Sequence, residues 1–99
     1  MAKYKLTHKA VEDLSKIWEY SFEMWSEKQA DEYYKMLISN CQEIANTPSL
    51  GKEYEGIAKN LLGIKAYRHI IFYRIIDKDH VEITRILHER MDLKKRIIE

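Results

Sequence analysis

Hydrophobic spacing along the chain changes character twice. "KYKL" (Lys3 to Leu6) alternates polar and apolar residues, the pattern of a short strand with one buried face. From Thr7 the period lengthens. Val11, Leu14, Ile17, Trp18, Phe22 and Trp25 recur at three- and four-residue steps, which predicts one apolar helix face with Thr7 as its N-cap. At "WSEKQADEYY" the pattern breaks and restarts, with Ser26 and Gln29 spaced as a capping box. The second predicted helix turns Ala30, Tyr33, Tyr34, Leu37, Cys41 and Ile44 inward. It ends at "NTP", because Pro48 biases Thr47 away from helical geometry. Two long helices with so short a link must run antiparallel.

The second change follows Ser49–Asn60, a stretch with two glycines and little periodicity that reads as a loop. "LLGIKAY" and "HIIFYRII" are rich in β-branched and aromatic residues, "DKDH" has the polarity of a hairpin connection, and "VEITRIL" alternates again. The tail "MDLKKRIIE" reads as a final helical turn or two. The order β-α-α-β-β-β predicts an α+β fold: an N-terminal strand, an antiparallel αα-hairpin packed on a small, mainly antiparallel sheet, and a short C-terminal helical turn. "HIIFYRII" is apolar at both parities, so the sheet face away from the hairpin must be covered or must bind something.

Composition narrows the classes of function. The 99 residues are expected to form one domain, 1–99, without room for a separate regulatory unit. A net charge of +1 argues against a global electrostatic grip on nucleic acid, and no direct sequence-specific binding is expected. No stretch approaches the roughly 20 apolar residues of a spanning helix, so a cytoplasmic protein without membrane contact is expected. The single cysteine, Cys41, falls on the apolar stripe and reads as core rather than as a catalytic thiol.

Candidate chemistry is sparse. The four histidines (His8, His69, His80, His88) show no dense ligand spacing, although His69 and His88 could meet across adjacent strands. With no phosphate loop or nucleophile elbow either, no metal or cofactor is expected. Metal-free RNA cleavage would need a base and cations, which "ITRILHERMD" and the preceding strands could supply as His88, Arg74, Arg85 and Arg90. Strand parity places Arg85 on the face opposite His88, so the two could cooperate only across a bend or bulge.

The ordered set "LTHKAVEDLSKIWEYSFEMWSEKQADEYY", "P..G", "LLGIKAYRHIIFYRI" and "ITRILHERMD" resembles the ParE branch of the ParE/RelE toxin superfamily over nearly the whole chain. The resemblance implies a helical hairpin on a small antiparallel sheet. It also implies the toxin of a type II toxin–antitoxin operon of the kind linked to plasmid stabilisation, neutralised by a ParD-like antitoxin as a homodimer or a toxin–antitoxin heterotetramer. ParE-like members are associated with poisoning DNA gyrase without being nucleases; RelE-like members cut messenger RNA on the ribosome. The nuclease branch carries a tyrosine or histidine near its C-terminus. Here the last tyrosine is Tyr73, inside a strand, which favours the gyrase branch, with ribosome-dependent cleavage by a set centred on His88 as the alternative. The residues expected at a target or antitoxin interface are Tyr20, Arg68, Arg74, Arg85, His88, Arg90, Met91 and Asp92. Core packing is expected for Trp18 and Phe22.

Overall fold

The computed structural model describes residues 2–98. Strand β1 (Lys3–Leu6) leads into helix α1 (His8–Met24) and helix α2 (Glu27–Asn46). A 3-10 turn (Pro48–Leu50) and strands β2 (Lys52–Glu53), β3 (Leu62–Ala66), β4 (His69–Asp77) and β5 (His80–His88) follow, then helix α3 (Leu93–Ile98). The sheet order is β1-β5-β4-β3-β2, with β1 parallel to β5 and every other pair antiparallel. This is the expected α+β arrangement, with two additions. The expected loop region holds β2 and the 3-10 turn, while the tail forms α3 as expected; the tail's last residue, Glu99, lies outside the described residues, as does Met1.

The helix starts follow from their caps. Thr7 Oγ1 accepts from Ala10 N–H (3.1 Å) and donates to the Thr84 carbonyl (2.7 Å), so one hydroxyl both starts α1 and fastens it to β5. Ser26 Oγ accepts from Gln29 N–H (3.1 Å), the first half of the expected box. The return bond from the Gln29 side chain is absent among the described residues. Thr47 leaves helical geometry (φ −139°, ψ 75°) immediately before Pro48.

The hairpin packs one face of the sheet through Leu14, Leu37, Cys41 and Ile44 against Ile71, Tyr73, Val81, Ile83 and Ile86. Cys41 is fully buried, and burial pushes its thiol up to about 12, so it is inert filler. The opposite face, Ile70, Phe72 and Leu87 with Leu61, is covered by the chain's own Tyr54, Ile57 and Ala58 and by Leu93 and Ile97 of α3. The apolar second face therefore needs no partner over most of its length. Ile76, near the far end of β4, stays exposed.

The inner stripe of α1 is rotated from the one expected. Ala10, Asp13, Leu14 and Ser21 are buried, whereas Val11, Phe22 and Trp25 are exposed. Trp18 and Phe22 are therefore not core. They stack on each other (centroids 5.3 Å apart) outside the main cluster, and Trp18 Nε1–H donates to Asp31 of α2 (2.9 Å). Tyr34 is exposed as well. The whole stripe is turned rather than only its end: Val11 is exposed in the first turns while Ser21 is buried near the last, so α1 lays its 10, 14 and 21 positions against the rest of the fold.

Tyr73 ties the irregular connection to the sheet. Its hydroxyl donates to the Pro48 carbonyl (2.6 Å) and accepts from Gly51 N–H (2.9 Å), while a Cβ on Gly51 would sit 2.5 Å from that oxygen. Tyr73→Phe orphans both backbone groups and is expected to lower unfolding free energy by about 1–3 kcal/mol in urea titrations.

Candidate functional site

The irregularity that shapes the site is a bulge in β5. Phe72 pairs with Arg85 but Tyr73 pairs with Ile83, leaving Thr84 as the extra residue. The inserted residue shifts parity, so Ile83 and Ile86 both reach the hairpin-side core. β1 covers β5 only as far as Ile83, and beyond that point the edge of β5 is open. Asp13 of α1 closes it. Asp13 Oδ2 accepts from Ile86 N–H (3.0 Å) and from Arg85 Nε (2.8 Å), and Oδ1 accepts from Arg85 Nη2 (3.0 Å). The carboxylate takes the place of a neighbouring strand. Arg85 Nη1 also donates to the Arg96 carbonyl, so one guanidinium joins α1 to α3.

Above this junction, between the hairpin and the ends of β4 and β5, lies a cleft of about 1000 Å³. Its walls carry Tyr20 and Trp25 from α1 and the following residue, Tyr33 from α2, Tyr67 and Arg68 from the β3–β4 turn, and His88, Arg90 and Met91 from the end of β5 and the segment beyond. Five basic side chains (Lys16, Arg68, Arg85, Arg90, Arg96) line it against a single carboxylate, Asp13, on a chain whose net charge is only +1. Positive charge is thus concentrated here and offset elsewhere. Trp25 and Tyr67 are 65% and 73% exposed.

The floor is a polar relay. His69 and His88 are direct neighbours across β4 and β5, with ring centroids 5.3 Å apart. The Tyr33 hydroxyl, which carries its proton, lies 2.7 Å from His69 Nδ1. Burial raises the Tyr33 hydroxyl's pKa, which keeps that proton in place. His88 Nδ1 accepts from Arg90 N–H (3.1 Å) and folds the chain back after the strand. Burial, then the neighbouring His88, lowers His69 to about 4, with Asp13 and Glu89 pulling the other way.

A pH dependence follows. Below about 6.5 the unfolded chain protonates this imidazole, while the folded chain resists until about 4. Stability that is complete above pH 6.5 is therefore lost as the pH falls through that window. The ring is half-buried and screened by solvent, so the expected loss is roughly 1–2 kcal/mol. Urea unfolding at the two ends of the window should show this slope, and His69→Gln should remove it.

Of the residues expected at an interface, Tyr20, Arg68, Arg85, His88, Arg90 and Met91 border this one cleft. Arg74 does not. It lies on the other side of the sheet, where its guanidinium reaches the Lys59 carbonyl at 3.5 Å. Asp92 does not either: its Oδ1 accepts from Lys95 N–H (3.2 Å) and caps α3. The suggested cleavage set of His88, Arg74, Arg85 and Arg90 is thus not assembled, since Arg74 is remote and Arg85 is committed to Asp13. The ladder is regular from Arg85 to His88, so the two keep opposite faces of β5 as parity predicts, although both border the cleft. No group of three or more His, Cys, Asp or Glu side chains among the described residues could hold a metal ion.

Sequence reasoning missed Asp13, Tyr33 and Tyr67. Asp13 was legible, since 10, 13, 14, 17 and 21 form a helical stripe as regular as the one expected, with a carboxylate inside it. Tyr67 carried no signal. It adopts φ 57° in the two-residue turn joining β3 to β4, a conformation that disfavours a bulky side chain. Tyr67→Asn is expected to raise stability by about 0.5–1 kcal/mol in thermal melts, a strain consistent with a residue kept for contact rather than for folding.

The family described as "ParE toxin of type II toxin-antitoxin system, parDE" matches residues 4–93, which include every cleft residue named above except Arg96. The chain belongs to the ParE toxin family. "Toxin ParE1" of Caulobacter vibrioides is 32% identical over 97 residues, covering 98% of this chain and 99% of that relative. "Toxin ParE1" of Mycobacterium tuberculosis is 27% identical over 96 residues, covering 97% and 98%. Among solved structures, "Chromosomal ParDE TA system from P. aeruginosa" superposes with a TM-score of 0.75 at 16% identity, covering 89% of this chain and 96% of that one. That likeness shows a shared fold. The expected ParE resemblance and α+β architecture both stand, and this chain is a ParE toxin of the parDE type II kind. No helix among the described residues is long and apolar enough to cross a membrane.

Proposed function

We propose that this ParE toxin acts in the cytoplasm as a one-domain inhibitor of DNA gyrase, and that a ParD-like antitoxin neutralises it by occupying the basic, aromatic cleft. The observation that carries this reading is the ParE family match across residues 4–93, which takes in the cleft walls from both the hairpin and the strand ends. The cleft suits a protein partner. Its aromatic rings offer large, rigid contact area, and its excess of cations complements an acidic segment. Tyr20, Trp25, Arg68 and Arg90 stand at its rim or walls, with Tyr33 and the imidazoles forming a fixed floor. Burying the cleft under an antitoxin segment would hide the same side chains that a target must reach, so neutralisation needs no change of fold.

Purified toxin should block gyrase supercoiling at micromolar concentration and accumulate cleaved DNA, and equimolar antitoxin should restore supercoiling. Unimpaired supercoiling with no trapped cleavage complex would refute the gyrase reading.

A further inference from the structure

We infer that the cleft binds single-stranded nucleic acid directly, stacking unpaired bases on Trp25 and Tyr67 and holding phosphates with Arg68, Arg90 and Lys16. This deepens the gyrase reading and takes its biological setting from it: the strand would be DNA opened in the gyrase complex.

Three observations converge. Lys16, Arg68 and Arg90 form no ion pair among the described residues, unlike Arg85, so their charge is available to a ligand. Trp25 and Tyr67 present their rings to solvent from opposite walls, one at the end of α1 and one at the β3–β4 turn. The chain holds Tyr67 at φ 57° to do so, although the turn itself would be satisfied by a smaller residue. Exposed aromatic faces interleaved with cations form a platform for bases and backbone together, since every base has a π-face and every linkage a charge. A purely acidic peptide would use the cations alone, and an antitoxin segment would need apolar anchors besides its acids to use the rings as well. A duplex keeps its bases stacked and would use the cations alone.

The other candidate groups in the molecule are already committed. The histidine pair is engaged on Nδ1 at both rings, Cys41 is buried, and the stripe of Val11, Trp18 and Phe22 carries no charge pattern to say what would cover it.

The test is fluorescence anisotropy of a short labelled oligothymidylate with the full chain, alongside duplex DNA and a polyglutamate peptide of equal charge. Binding in the micromolar range that favours the single strand over both others is expected. The logarithm of its association constant should fall with log salt at a slope of about −2, corresponding to three phosphates neutralised. Trp25→Ala should weaken binding about tenfold or more while Trp25→Phe restores most of it. Both variants should fold normally, since Trp25 is 65% exposed. Arg90→Gln should make the salt slope shallower by about 0.7. Absence of binding, equal binding of polyglutamate or duplex, or an unchanged affinity in Trp25→Ala would each overturn the inference. If the oligonucleotide fails while supercoiling is still blocked, the inference falls and the gyrase reading stands. If the oligonucleotide binds and supercoiling is untouched, the reverse holds.

Discussion

Asp13→Ala is expected to cost about 3–5 kcal/mol of stability, enough to unfold much of the population of so small a chain. Three hydrogen bonds end on this one carboxylate, and both members of the ion pair are nearly sealed, with side-chain exposures of 10% for Asp13 and 12% for Arg85. Removing the acid strands a guanidinium beside the core and leaves the Ile86 N–H without an acceptor at an open strand edge. Asp13→Asn keeps the shape and one acceptor oxygen but loses the charge, so a smaller loss of about 2–3 kcal/mol is expected. Arg85→Met should be milder than Asp13→Ala, because Asp13 retains the Ile86 N–H as a partner. Urea titrations of the three variants should therefore rank Asp13→Ala as least stable. A fall below about 1 kcal/mol in Asp13→Ala would show that this buried pair does not hold α1 to β5.

The second large effect concerns activity with the fold intact. Arg68→Glu combined with Arg90→Glu reverses two exposed charges at the cleft and is expected to reduce gyrase inhibition by about a hundredfold or more. Like-charge juxtaposition at an interface costs several kcal/mol. Neither side chain makes an ion pair among the described residues, and both are exposed, so the melting temperature should change little. Arg74→Glu supplies the contrast. Its side chain lies on the other side of the sheet, so inhibition should stay near the unsubstituted level. Equal losses from both sets would mean that overall charge, not the cleft, governs the activity.

Much of this fold is legible in residue order alone, because local rules and tertiary packing agree. Thr7, Ser26 and Pro48 delimit the helices where their chemistry requires, and the strands follow their β-branched runs. Two features escape such rules for physical reasons. A helix face can be read only relative to what lies beneath it, and in α1 the stripe through Ala10, Asp13 and Leu14 is the one that is buried. Phe22 and Trp25 thus look like core in a periodic pattern yet face solvent. Strand parity predicts sides only for a regular ladder, and the bulge at Thr84 shifts the register locally. Past the bulge the ladder is regular again, and "ITRILHERMD" resolves into distinct parts: Arg85 as a strut, His88 and Arg90 at the cleft, and Asp92 as a helix cap. The relay of Tyr33, His69 and His88 joins elements far apart in sequence, and only the His69–His88 half of it could be anticipated from strand pairing.

Hydrogen–deuterium exchange of the toxin, alone and bound to gyrase, tests the central claim most directly. If the toxin acts through its basic, aromatic cleft, binding should slow exchange in residues 20–25, 67–69 and 88–91. Residues 54–58, on the opposite face, should exchange as before. Protection confined to that opposite face, with the cleft unchanged, would contradict the account.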